Sequence, residues 1–176
     1  MRVRALIGIA AATAALLVVA VAPSGAVPGG TFKANLTGFE EVPAISTDAS
    51  GTFEAKIDPA GPTIEYTLSY SDIQNAFAAH IHFGQAAVNG GVSVFLCGGG
   101  DKPVCPATGG TVTGTIDAAD VIGPANQGIA AGELDELIAA MGAGVSYANV
   151  HTNDNIAPTN TGPGDFPGGE IRGQIS

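Results

Sequence analysis

Few residues in this chain could carry metal or acid–base chemistry. It holds only three histidines, two of them in Ala78-Ala79-His80-Ile81-His82-Phe83-Gly84 and the third in Ser146-Tyr147-Ala148-Asn149-Val150-His151-Thr152. Successive side chains of a strand point to opposite faces, so His80 and His82 share one face while Ile81 and Phe83 take the other. Asn149 and His151 share a face in the same way, with Val150 on the reverse. If the two strands are neighbours, three imidazoles converge on one point. Three neutral nitrogen ligands suit copper or zinc and leave a position open for water or substrate. Shared ligation with bonds near 2 Å requires the three nitrogens to lie within about 4 Å of one another. An isolated His-x-His on a strand is more often an ordinary surface pair. Here every histidine falls within two short strand-like motifs, and that concentration raises a metal site to a working hypothesis.

Other groupings carry less. Cys97 and Cys105 flank a Gly-rich stretch, and their even count in an exported chain reads as a local disulfide. Glu170 and Arg172 stand two apart on one strand face, the spacing of an exposed ion pair. Asp154, Asp165 and Glu170 surround a long loop but lack the spacing of a calcium-binding EF-hand. No Gly-x-Ser-x-Gly elbow or other nucleophile motif is present.

The elements that must position the histidines are strands. Residues 51–58, 63–70 and 169–175 alternate apolar with polar side chains, each pattern giving one buried and one wet face. Weaker candidates cover 32–38, 78–84, 92–96, 111–116 and 145–151. Together they make about eight short strands punctuated by Gly and Pro, the pattern of an all-β Greek-key sandwich or barrel. One segment departs from the two-residue period. In 132–142, Leu134, Leu137, Ile138 and Met141 fall on one helical face, with Glu133, Asp135 and Glu136 in the first turn where the helix dipole favours anions. Residues 153–169 have the composition of a loop throughout, and a loop of that length in a compact domain is often functional.

The first 26 residues have the layout of a secretory signal peptide: Arg2 and Arg4, an uncharged stretch from Ala5 to Ala22, then Pro23 and the small residues Ser24 and Ala26. Cleavage after Ala26, favoured over retention of the run as an uncleaved membrane anchor, leaves 27–176 as one domain of ordinary size, secreted to the extracellular space or periplasm and free of the membrane. The full chain carries six basic and sixteen acidic residues. Cleavage removes Arg2 and Arg4 and no acid, leaving four basic against sixteen acidic residues and a formal charge of −12. Such a surface repels nucleic-acid backbones and anionic headgroups and tolerates metal cations.

The runs Ala-His-Ile-His-Phe-Gly (79–84), Tyr-Ala-Asn-Val-His-Thr (147–152) and Gly-Gly-Glu-Ile-Arg-Gly-Gln-Ile (168–175) resemble the CHRD domain, named for its occurrence in chordin. Gly90-Gly91-Val92 and Gly114-Thr115-Ile116 add to a likeness that spans about 31–176. The resemblance implies a β-barrel of immunoglobulin-like character with limited similarity to copper/zinc superoxide dismutases, and no general activity. In that comparison His80 and His82 resemble the dismutases' paired histidines, and His151 resembles a late copper ligand. Arg172 resembles the arginine beside the copper. The chain departs from the pattern in having no histidine between His82 and His151, no zinc-binding loop and no positive surface to draw in an anion.

The expectation is therefore a secreted protein with one copper ion, or less favourably zinc, on His80, His82 and His151. Asn149 and Arg172 would support the ligands from behind, and binding is favoured over catalysis. The alternatives are a metal-free module that binds extracellular proteins or matrix, and a copper-dependent redox enzyme of superoxide-dismutase type.

Overall fold

The computed structural model describes residues 29–176 except Pro59 and Pro62. The expected signal peptide therefore falls wholly outside the described residues. Eight strands form one sheet: β1 (Gly30–Thr37), β2 (Ser50–Asp58), β3 (Thr63–Ser71), β4 (Ala76–Phe83), β5 (Gly91–Cys97), β6 (Gly110–Ile116), β7 (Ser146–Thr152) and β8 (Ile171–Gln174). Their lateral order is β5-β4-β7-β8-β1-β2-β3-β6, and every ladder is antiparallel. The two outer strands of this row, β5 and β6, approach each other without pairing, so the sheet curls into a nearly closed barrel. Around that ring β4, β5 and β6 follow one another, and β7 returns to lie beside β4, which is a Greek-key arrangement.

The period-two pattern explains the interior. Phe53, Ala55 and Ile57 of β2 and Ile64, Tyr66, Leu68 and Tyr70 of β3 are buried in one core, while their polar neighbours face outward. Helix α1 (Leu134–Gly142) adds the apolar stripe Leu134, Leu137, Ile138 and Met141 to the same core. The eight strands and the helix agree with the periodicity to within about two residues at each end.

Three devices hold the β5/β6 seam. The Tyr66 hydroxyl donates to the Leu96 carbonyl at 2.6 Å, bridging β3 to β5 across the interior. Lys102 pairs with Asp101 and Asp120 and donates to the Thr115 carbonyl of β6. The Cys97–Cys105 disulfide ties the end of β5 to the segment entering β6. Closing a loop across a sequence separation of 8 restricts the unfolded chain by about 2–3 kcal/mol. The Cys97→Ser/Cys105→Ser double variant is therefore expected to lose about that much stability in urea unfolding. No loss would show that the bridge contributes nothing to the fold.

The structure revises the exposure expected of the last strand. The expected wet face, Glu170, Arg172 and Gln174, is covered: Glu170 and Arg172 are buried and Gln174 nearly so. The loops 38–49, 84–90 and 153–169 fold over the outside of β4, β7 and β8, giving this part of the barrel a second, polar buried layer. β7, in the middle of it, is buried along its whole length.

Candidate metal centre

Register places the histidines. In the β4/β7 ladder His80 lies opposite Asn149, His82 opposite Tyr147 and Ala78 opposite His151, so the imidazoles of adjacent strands meet on the outer face of the barrel. Register shifts between β4 and β5 flank His80 and His82, and Phe95 of β5 lies opposite His80. The inner side of the same strands carries Ala79, Ile81, Ala148 and Val150, all fully buried. The outer face holds the chemistry and the inner face the packing.

His80, His82 and His151 each offer a ring nitrogen, and these atoms lie within 4.8 Å of one another. The closest pair, His80 Nδ1 and His151 Nε2, is 2.9 Å apart. The set as a whole is thus slightly wider than the roughly 4 Å that shared ligation requires. Asp154, Asp165 and Glu170 form no comparable group among the described residues.

The surrounding groups fix which nitrogens are available. His82 Nδ1 lies 3.0 Å from the Gly90 carbonyl, and His151 Nδ1 lies 3.0 Å from the Pro167 carbonyl. A carbonyl oxygen only accepts, so each Nδ1 carries the proton and each Nε2 carries a lone pair. His82 Nε2 is buried with no hydrogen-bond partner. His151 Nε2 also faces the Asn149 Oδ1 at 3.0 Å, an acceptor against an acceptor. Converging lone pairs with a deficit of donors are the arrangement a cation satisfies. On that ground the donor set fits a copper or zinc ion, and His80 supplies the third nitrogen.

The rings are held on all sides. His82 stacks on Tyr147 with centroids 4.8 Å apart and planes 5° from parallel. His80 meets Phe95 edge-on at 4.6 Å. On the far side of Tyr147, the Arg172 guanidinium carbon stands 3.4 Å from the ring centroid, a cation–π contact. Nη2 of Arg172 donates to the Gln85 and Val88 carbonyls and pins the loop whose Gly90 carbonyl orients His82. Gly90 also donates its N–H to the Tyr147 hydroxyl.

The site is dry. His80 is 9% exposed, and His82 and His151 are each 7% exposed. Burial disfavours the imidazolium. It holds His80 down to about 3, with repulsion from His151 and His82 adding to the effect. His151 is held down to about 4 by burial, against the pull of its bond to Pro167. His82 is also lowered, again chiefly by burial. All three rings are neutral at pH 7, the state that ligates metal.

The ion pair expected between Glu170 and Arg172 does not form. Glu170 instead accepts from Thr47, from Thr152 and from the Gly164 N–H, fastening the loops 38–49 and 153–169 to the end of β7. Arg172 points the other way, onto Tyr147, because neighbouring residues on these short strands are claimed by different loops. Sequence reasoning missed Glu41. This residue comes from the 38–49 loop and is 7% exposed, with Oε1 unpartnered beside the Asn149 amide. Desolvation raises its carboxyl to about 7, despite the opposing charge of Arg172 and a hydrogen bond from Asn149. Its sequence context, Gly-Phe-Glu-Glu-Val-Pro, gives no periodic signal that would separate it from exposed Glu40.

The family model described as CHRD domain matches residues 32–158, a span that takes in the barrel from β1 to β7 and all three histidines. No curated protein and no solved structure matches the chain.

Proposed function

The chain belongs to the CHRD-domain family, and from that premise we propose that it is a secreted protein whose 27–176 domain binds one copper ion, less favourably zinc, through His80, His82 and His151. The observation that carries this reading is the pair of fixed Nε2 lone pairs. Two backbone carbonyls commit the Nδ1 protons of His82 and His151, and one of the remaining nitrogens is buried without a partner. Copper ranks before zinc because nitrogen sites bind it more tightly among the divalent ions, and an oxidising compartment is in keeping with the Cys97–Cys105 bridge. Among the described residues no helix is long and apolar enough to cross a membrane.

When bound, copper would supply a Lewis-acidic and redox-active centre. The chain's own part is to present three neutral imidazoles without a proton to displace, to fix the His82 plane against Tyr147 and to keep water out. Holding the ion is favoured over turning it over, because no histidine beyond the three ligands reaches the site and the surface is acidic.

A second reading draws on the His80–His151 contact. At 2.9 Å those two rings satisfy each other without any ion, as they would in a metal-free module for extracellular proteins or matrix. Elemental analysis of purified protein after copper or zinc loading separates the two. Near one ion per chain is expected in the wild type, falling on the order of 10²–10³-fold in affinity in His80→Ala and His151→Ala. That figure takes each ligand as about a quarter of the roughly 10–16 kcal/mol of a four-ligand site. Retention that is indifferent to both substitutions sinks the metal reading.

A further inference from the structure

Glu41, Asn149 and the histidines form a line of polar groups short of donors. The Asn149 amide has its oxygen 3.0 Å from His151 Nε2, and its nitrogen turned towards the Glu41 carboxylate. The loop 153–169 is shaped around this contact. Gly169 has φ +130°, and a Cβ there would collide with Glu41 Oε1 and stand 3.0 Å from Asn149 Nδ2. The charged and titratable groups facing Glu41 are Arg172 from β8 and Tyr147 from β7. Burial holds the Tyr147 hydroxyl above its usual range.

Such a line has two self-consistent arrangements. In the observed one, the Asn149 nitrogen faces the Glu41 carboxylate, which suits an ionised Glu41, and its oxygen faces ring lone pairs, which a neighbouring cation offsets. In the other the amide is turned over. Its NH₂ group then donates to the lone pairs, including the unpartnered Nε2 of His82, and its oxygen accepts a proton that Glu41 must carry. The two differ by one proton at Glu41 and by the orientation of one amide.

Resting on the metal reading above, we propose that Glu41 is a positioning residue: through the Asn149 amide it couples filling of the histidine site to release of its own proton. Asn149 acts as the relay and is not a ligand. Burial of Glu41, which places its proton equilibrium near pH 7, puts the exchange in the physiological range. A partner of this kind, one step behind the ligands, typically changes metal affinity about 10–100-fold.

Calorimetric titration of the full-length protein with copper(II), at pH 6 in two buffers of different ionisation enthalpy, counts the protons released. The wild type is expected to release about one more proton than Glu41→Gln. The same variant should bind copper about tenfold more weakly at pH 8, with the gap closing as the pH falls below Glu41's own equilibrium. Asn149→Leu, which cuts the relay and keeps Glu41, is expected to lose the same proton. Equal proton counts and equal affinities across wild type, Glu41→Gln and Asn149→Leu overturn the coupling while leaving the metal site standing. A wild type that takes up no copper overturns the metal reading itself.

Discussion

Without metal, the protein is expected to change little in stability from pH 7 to about 6 and to have lost at least about 3 kcal/mol by pH 4, with the histidines and Glu41 pulling in opposite directions. Folded His80 and His151 titrate near 3 and 4, below the ordinary 6.5 of an unfolded chain. Between those limits the unfolded state binds more protons, so their contribution is present above pH 6.5 and is lost as the pH falls. Glu41 is the reverse case. Its folded carboxyl titrates near 7 against 4.5 unfolded, so the folded state binds more protons in that window and gains stability on acidification. At roughly 1.4 kcal/mol per pKa unit, the two histidines lose about 6 kcal/mol by pH 4 and Glu41 returns about 3. The Glu41→Gln variant removes the offset. Its decline should begin near pH 6.5 and reach about 6 kcal/mol by pH 4, within the roughly 5–15 kcal/mol available to a domain. Urea unfolding across pH 4–8 reads both curves. Coincident profiles for wild type and variant would show that Glu41 is not a buried, raised carboxyl.

Replacing Arg172 by Ala is expected to cost about 3 kcal/mol at pH 8, as breaking a buried hydrogen-bond network and stranding its acceptors does. The side chain is 1% exposed and has three separate attachments: the Tyr147 ring, the Gln85 and Val88 carbonyls, and the charge of Glu41. Truncation leaves the two carbonyls without that donor and Glu41 without its counter-charge. Lysine would restore the charge but neither the planar stack nor the forked donation, so Arg172→Lys should recover only part of the loss. Because much of the cost belongs to Glu41, Arg172→Ala in a Glu41→Gln background should be less damaging than the sum of the two changes. The cost should also shrink at pH 5, where Glu41 carries its own proton. A stability within 1 kcal/mol of wild type would mean that the guanidinium contributes only surface charge.

The histidine pairing was legible because alternation on a strand is geometry: His80 with His82, and Asn149 with His151, needed only the two-residue period. The eight strands were legible for the same reason, since a one-residue slip would turn every apolar side chain outward, and α1 was legible from its separate spacing of three and four residues. That β7 would pair with β4, bringing His151 to His80, is a long-range contact that no local pattern specifies. Loops account for the rest. Glu170 and Arg172 read as a wet face because alternation records which side of a strand is polar, and says nothing about whether a loop will cover it. Glu41 lay hidden for the same reason: its burial is a tertiary contact, with Gly169 and the Asn149 amide beside its carboxylate. The polar layer outside β4, β7 and β8 is thus a tertiary product, and the candidate histidine site lies in it.

The unpaired approach of β5 and β6 has a consequence for where this protein is safe. Elsewhere each backbone ladder protects its neighbour, but these two strands are held by a tyrosine hydroxyl, a lysine and a sulfur bridge. Reduction of the bridge in a thiol-rich cytosol would leave two sheet edges with fewer restraints, and exposed edges template pairing between chains. With the bridge formed, the same two edges are kept facing each other across the seam. The redox state of the surroundings, acting far from the histidines, therefore sets how firmly these two edges are restrained.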